Sequence, residues 1–418
     1  MQLNENFFLV NLGVSNAVDT LELPRHRWYY YKEGFSPSLI EKAIEFSGVK
    51  KSDIILDPFN GSGTTTLTSS LKGYKSIGIE VNPFTSFLSK AKMRNTKIKN
   101  FINNEQYILD GVSKGAISPL KGYSTFSRND SINKWLFNDE VLDAFTGGWL
   151  ASKEIKSYNL KQIMQLALII SAMQNCNATR DGKCLRYRDS WQKNKYNKNS
   201  FLSSLQTNLS MIIEDIEQYP VSERPNILTG DARTILSRKI EPFKLCVTSP
   251  PYLNTFDYTD IYRPELFLGQ FVKNNEDLYN LRLNTIRSHI QAKWDKPFNS
   301  DFGELYKKSI EHILQHKNEL MHERIPSMVQ AYFEDMLNIL KLLRKKAEKN
   351  AQLWIVVSNS AYADRQIQVD LIIAEMASLA DWKLKEVGIL RDIRRRKTKH
   401  SPNISTLRES VIILKADR

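Results

Sequence analysis

Cysteine is scarce in this chain: three residues in 418, Cys176, Cys184 and Cys246, none of them closely spaced with another. That scatter excludes a disulfide framework and a cysteine-ligated zinc site, and it fits a reducing, cytosolic compartment. Histidine is also sparse, at six residues, and no set of them has metal-ligand spacing. His312 and His316 stand four apart, but the residues between them lack the glutamate of a zinc-protease helix, so they read as neighbours on one helix face. No metal is expected. Long apolar runs are missing too. The most apolar stretch, near Ile163 to Met173, is too short to span a bilayer and reads as a buried helix. Met1 to Thr20 mixes asparagines and charges among its apolar residues, so no signal peptide is expected. Acidic residues are outnumbered, 46 against 59 lysines and arginines, giving a formal charge of +13 and a pI near 9.4. Such a balance favours a polyanionic partner. No internal repeat, heptad array or low-complexity linker interrupts the sequence.

What is present has the make-up of a soluble globular protein, 41% hydrophobic and 25% charged, and is long enough for one elaborated domain or for two to three. Strand-like apolar runs fall at residues 54–56, 76–80, 226–228, 244–248, 353–358, 383–390 and 410–414. Helical patterns separate most of them, including 38–46, 65–71 and 330–347. This alternation predicts an α/β sheet with helices on both faces, and ligands should collect at the carboxyl ends of its strands.

Two motifs sit at such ends. The first is Asp57-Pro58-Phe59-Asn60-Gly61-Ser62-Gly63-Thr64-Thr65, between a strand-like run and a helix start. Glycines there let the backbone turn tightly and approach a ligand. Glu80 ends the next strand-like run and is well placed for a ribose hydroxyl. The loop is neither GxGxxG nor a phosphate-binding P-loop, which points to a nucleoside ligand without phosphates. The second motif is Thr248-Ser249-Pro250-Pro251-Tyr252, downstream of Gly230-Asp231-Ala232. Two prolines fix the backbone and leave a carbonyl free of neighbouring N–H donors. With the Ser249 hydroxyl and the Tyr252 ring, that makes a rigid platform for a planar heterocycle bearing an amino group.

Taken together, these segments resemble the DNA amino-methyltransferases, which methylate exocyclic nitrogens of cytosine or adenine. The resemblance extends to Phe35-Ser36-Pro37 and to Arg408-Glu409-Ser410 with the apolar run after it. It implies a Rossmann-like methyltransferase sheet, S-adenosylmethionine as cofactor and double-stranded DNA as partner. It also implies a prokaryotic cytosolic setting in restriction-modification, where a cognate endonuclease would be a further partner. The implied catalytic residues are Ser249, Pro250, Pro251 and Tyr252. Asp57, Phe59, Gly61, Gly63 and Thr64 would surround the methionine portion, Glu80 would hold the ribose, and Asp231 would face the adenine amino group or simply cap a helix. Phe35, Ser36 and Pro37 would close over the cofactor, with Ser36 as an alternative helix cap. A serine before the prolines more often accompanies cytosine-N4 chemistry in that family and an aspartate adenine-N6, so cytosine N4 is the expected target. No cysteine follows a proline, which counts against carbon methylation. Adenine-N6 methylation, RNA base methylation and a catalytically silent binding subunit are the alternatives. The last would be expected to have lost Ser249, Tyr252 or Glu80, and all three are present.

Residues 1–92 then form the cofactor-binding half and 226–418 the catalytic half. Between them, 93–225 reads as a mostly helical insertion, with helical patterns at 139–145 and 160–173, and a second insertion lies near 262–326. Each is a candidate for target recognition, the first preferred. Arg180, Lys183, Arg186, Arg188, Lys193 and Lys195 interleave with Tyr187, Trp191 and Tyr196, a mixture that suits phosphate gripping and base stacking. Arg282, Arg287, His289, Lys293 and Trp294 give the second insertion a similar character. A third basic segment, Arg391 to His400, is expected as a loop whose binding to phosphates would be salt-dependent.

Overall fold

A computed structural model describes residues 3–7, 16–181, 184–238, 240–395 and 399–417. Its centre is an eight-stranded sheet. In chain order its strands are β1 (Leu3–Asn4), β2 (Ile54–Asp57), β3 (Lys75–Glu80), β6 (Asn226–Thr229), β7 (Phe243–Thr248), β8 (Ala347–Ser358), β11 (Lys383–Arg394) and β12 (Thr406–Lys415), while β4 (Ala178–Asp181) pairs with β5 (Cys184–Tyr187) and β9 (Ser360–Tyr362) with β10 (Arg365–Ile367) outside it. The eight are arranged β1-β11-β12-β8-β7-β2-β3-β6. All neighbours run parallel except β12, which lies antiparallel between β11 and β8. The central strands are continuous apolar runs because both faces are covered. Ile55 and Leu245, adjacent in register, are fully buried.

Chain direction across the sheet reverses between β2 and β7: from β2 the chain goes outward to β3 and β6, then from β7 outward the other way to β8. This reversal is where ligands bind in open α/β sheets, and both sequence motifs leave the sheet there. Helix α1 (Pro37–Ser47) packs against one face, sharing a core of Leu39, Ile40, Val247 and Trp354. Its start follows from sequence: Ser36 caps it, Pro37 occupies the first turn and Gly48 ends it at φ +65°. Helices α13 (Ile325–Lys346) and α14 (Val369–Met376) cover the opposite face through Tyr332, Leu340, Ile372 and Ile373.

Residues 93–225 hold four long helices, α4 (Ile98–Lys114), α5 (Asp139–Lys153), α6 (Tyr158–Gln174) and α7 (Lys198–Gln218). Their core is not private. Leu160, Leu168, Phe201 and Leu209 pack in one cluster with Trp28, Phe84 and Phe87 and with Phe256, Tyr262 and Phe267 from beyond the Ser249–Tyr252 segment. None of the helices of the described residues is long and apolar enough to cross a membrane.

Three expectations need correction. The basic stretch after α6 contains a hairpin, β4 (Ala178–Asp181) and β5 (Cys184–Tyr187), followed by a short turn of helix over Trp191–Lys193. Strand β11 continues to Arg394, so the first part of the third basic segment is paired strand; Lys183 and residues 396–398 lie outside the described residues. Helix α13 begins five residues before the predicted start at 330, with Pro326 in its first turn and Ile325, Met328 and Val329 buried, and β8 begins six before 353, carried through the polar Glu348, Lys349 and Asn350 that weaken the sequence pattern.

Candidate functional site

The glycine loop between β2 and helix α2 (Thr64–Leu71) is fixed by its own backbone. Asn60 N–H donates to the Ile79 carbonyl at 2.9 Å and Gly63 N–H to the Asn60 carbonyl at 2.7 Å. The Asn60 side chain lies flat on Gly78, where a Cβ would come within 2.6 Å of it. Thr66 Oγ1 donates to its Oδ1 at 2.8 Å. Gly63 stands at φ +88°, a left-handed conformation at which glycine is the default residue, as α2 begins. Glu80, at the end of β3, accepts N–H bonds from Gly61 at 2.7 Å and Asn82 at 2.8 Å. Burial pushes its carboxyl up from the usual range, against the pull of these donors.

Asp57 ties this loop to the second motif. Its Oδ1 accepts from Thr248 Oγ1 at 2.6 Å and from Phe59 N–H at 3.0 Å. Thr65 Oγ1 donates to the Val247 carbonyl at 3.1 Å. Asp57 is 1% exposed, and burial raises its carboxyl to about 6 despite the Thr248, Thr65 and Phe59 donors. Directly after Thr248 come Ser249 and the two prolines. Ser249 Oγ donates to Tyr252 Oη at 3.5 Å, and Tyr252 Oη donates to Glu409 Oε1 at 2.9 Å. Glu409, on β12, is gripped by Arg391 of β11 at 2.6 Å and 3.3 Å.

Both motifs open on one cavity of about 370 Å³. Of the residues expected there, Phe35, Asp57, Phe59, Gly61, Thr64, Glu80, Asp231, Ser249, Pro250, Pro251 and Tyr252 line it. Ser36, Pro37 and Gly63 do not. Ser36 is fully buried, capping α1 through Ser38 N–H and bonding Asp19 at 2.5 Å. Pro37 is the first residue of α1, and Gly63 packs against Ser89 and Met93. Asp231 is at the wall, but its carboxylate caps helix α8 (Ala232–Ser237) and pairs with Arg233 at 2.8 Å. Arg233 in turn pairs with Asp335, which also holds Arg287.

Sequence reasoning missed a second tier of lining residues, Tyr31, Glu33, Asn82, Phe256, Tyr258, Ile286 and Ile393, and His289, singled out for the second insertion, also lines the cavity. The aromatic run Trp28-Tyr29-Tyr30-Tyr31 was a usable signal for the first of these. Glu33 accepts a hydrogen bond from Tyr262, and burial raises its carboxyl. Tyr31 stacks on Tyr262 with ring centres 5.3 Å apart.

The basic segments need correction as well. Arg180 is not free to grip phosphate: it pairs with the buried Glu265 and lies over the Tyr262 ring at 4.5 Å. Arg188 donates to the Cys176 carbonyl, and Trp191 is buried edge-on to Trp135. Arg282 pairs with Asp257, Arg287 with Asp335, and His289 packs on Trp294. The four arginines serve the interior because burying their long stems removes apolar surface from water while a carboxylate or carbonyl satisfies the head. Lys193, Lys195, Lys293 and Arg394 remain exposed.

A twisted, mostly parallel sheet with this reversal, an acidic loop at β2 and a proline platform at β7 defines a Rossmann-like methyltransferase. The family model described as DNA methylase, of the N6/N4 type, matches residues 13–90. The type II methyltransferase M.BsoBI of Geobacillus stearothermophilus is 29% identical over 88% of this chain and 80% of its own. M.AvaI of Nostoc is 25% identical over 88% and 81%, and M.MvaI of Kocuria varians 25% over 87% and 83%. The chain is thus similar to the N4/N6 DNA amino-methyltransferases, over residues 13–90 in the family model and over most of its length in these relatives. S-adenosylmethionine is accordingly its methyl donor, and the site suits it. The cavity has the volume of a small-molecule site. Its wall carries Asp57 and Glu80, which as carboxylates keep acceptor capacity beyond the bonds described above. A Cβ on Gly61, which stands at φ +50°, would come within 3.1 Å of the Tyr31 ring, so a side chain there would press against that ring.

Proposed function

We propose that the protein transfers a methyl group to the exocyclic N4 of a cytosine flipped out of duplex DNA, as the modification enzyme of a prokaryotic, cytosolic restriction-modification system. The carrying observation is the single cavity in which the Asp57 loop and the Ser249–Tyr252 platform meet, joined by the Thr248–Asp57 hydrogen bond. Bound S-adenosylmethionine supplies an electrophilic methyl group on a sulfonium. Glu80 holds the ribose hydroxyls, the loop from Asp57 to Thr64 surrounds the methionine end, and Phe35 closes over it. Asp231 borders the adenine end as a helix cap.

The target amine is a poor nucleophile while its lone pair is delocalised into the ring. The Pro250 carbonyl and the Ser249 hydroxyl each accept one of its N–H bonds, which bends the nitrogen toward tetrahedral geometry and frees the lone pair. Positioning and electrostatics therefore supply most of the acceleration. Tyr252 stacks on the extruded base, offsetting part of the few kcal/mol that flipping costs, by about 1–3 kcal/mol. Ser249, rather than an aspartate, supports cytosine as the base. Reading of the DNA sequence falls first to residues 93–225, which expose Lys193 and Lys195, and then to 262–326.

The test is mass spectrometry of nucleosides from plasmid DNA incubated with the protein and isotopically labelled S-adenosylmethionine. Label in N4-methylcytosine is expected. Label in N6-methyladenine would overturn the base assignment, and label only in a parallel RNA reaction would overturn the DNA assignment.

A further inference from the structure

A serine hydroxyl can donate as readily as it accepts, so Ser249 helps the target amine only if its own proton points elsewhere. The structure shows where. Ser249 Oγ is directed at Tyr252 Oη at 3.5 Å, Tyr252 Oη at Glu409 Oε1 at 2.9 Å, and Glu409 ends the chain as an acceptor. Glu409 is 4% exposed, on the strand behind the platform and outside the cavity. Arg391, its cross-strand partner in register, donates Nε to Oε2 at 2.6 Å and Nη2 to Oε1 at 3.3 Å. A carboxylate has no proton to give back. The chain therefore runs one way, and Ser249 is left presenting lone pairs to the cavity.

We infer that Glu409, locked by Arg391, is a positioning residue that sets the direction of a Ser249–Tyr252–Glu409 hydrogen-bond chain, making Ser249 an acceptor and giving the released proton a route out. This rests on the reading of Ser249 and Tyr252 given above. Methyl transfer forms an N–C bond, breaks the S–C bond and leaves the nitrogen with one proton too many. That proton passes to Ser249 Oγ as the serine proton moves to Tyr252 Oη and the tyrosine proton to Glu409, leaving Glu409 neutral. Once product has left, the chain runs in reverse and returns the proton to water in the cavity. The Ser249–Tyr252 bond is long without substrate, as catalytic hydrogen bonds often are before the complex forms.

Two variants test this. In Glu409→Gln the amide oxygen stays on Arg391 and the NH2 turns to Tyr252, reversing the chain so that Ser249 becomes a donor. In Tyr252→Phe the stacking ring remains but the chain is cut. Each is expected to lower kcat about a hundredfold, at the low end of what a positioned proton acceptor contributes, with the KM for DNA and the cofactor Kd unchanged. Combined, they should cost no more than the worse single variant, since both disable one chain. Wild-type kcat in either variant, or losses that multiply in the double variant, would overturn the inference while leaving the methyltransferase reading intact. Full activity in Ser249→Ala would instead overturn that reading. Melting temperatures identify a variant that merely unfolds; for such a variant the solvent proton inventory of the wild type decides, a curved plot supporting the chain and a linear one refuting it.

Discussion

Replacing Asp57 by asparagine should stabilise the protein at high pH while weakening its grip on the cofactor. The carboxyl is 1% exposed, and burial raises it from 3.8 to about 6. A group whose value is raised by folding favours the folded state fully below its unfolded value, and that contribution is lost as pH rises through the folded value. For Asp57 the window therefore runs from about pH 4 to about pH 6. Between pH 5 and pH 8 the wild-type protein should lose about 1.4 kcal/mol from this residue alone. Asparagine keeps an oxygen for Thr248 and Phe59 but does not titrate. Relative to wild type, Asp57→Asn should thus gain about 1.4 kcal/mol on going from pH 5 to pH 8. Denaturant unfolding of both proteins without cofactor, at the two pH values, measures this directly. Calorimetric titration at pH 8 should then show weaker S-adenosylmethionine binding in the variant, because the loop loses a carboxylate beside a cationic ligand. A stability difference independent of pH would refute the argument that Asp57 is held against the cost of burial.

Other substitutions probe other parts of the site. Gly78→Ala would drive a methyl into the Asn60 amide at 2.6 Å; it should cost about 1–3 kcal/mol and weaken cofactor binding, and an unchanged melting temperature with unchanged Kd would count against the packing account. Tyr252→Ala, which removes the ring as well as the hydroxyl, should reduce turnover roughly 5- to 150-fold below that of Tyr252→Phe, the rate equivalent of about 1–3 kcal/mol of stacking, with cofactor affinity retained; turnover equal to that of Tyr252→Phe would refute the stacking role. Arg180→Ala strands the carboxylate of Glu265, whose side chain is fully buried, and should cost about 3–5 kcal/mol, whereas the pair Arg180→Met with Glu265→Gln should recover most of it. A double variant as unstable as the single would mean that Arg180 acts through packing alone.

Much of the architecture was legible before folding. Apolar runs bounded by glycine and proline marked the central strands, because a sheet covered on both faces needs continuous hydrophobic segments. The two motifs were legible for a related reason: tight turns at strand ends admit few residue types, so Gly61, Gly63, Pro250 and Pro251 stand out locally. Ser36 as a cap was equally local, and its hydroxyl does accept from Ser38 N–H at the start of α1.

What the chain order could not convey was the fate of its charges. Arg180, Arg282, Arg287 and Arg391 look alike in sequence, as cations among aromatics. Only the fold brings Glu265, Asp257, Asp335 and Glu409 to them, across separations of 85, 25, 48 and 18 residues. Each pairing is settled by which elements pack together, and a residue's own neighbours carry no record of that. Glu409 is the clearest case: it sits 157 residues beyond Tyr252, and only because β12 inserts between β11 and β8 does its carboxylate arrive beneath the proline platform. The sequence by itself thus determined seven of the eight sheet strands, the glycine loop and the proline segment. The tertiary structure alone decided which charges serve the interior and which acid stands behind Ser249 and Tyr252.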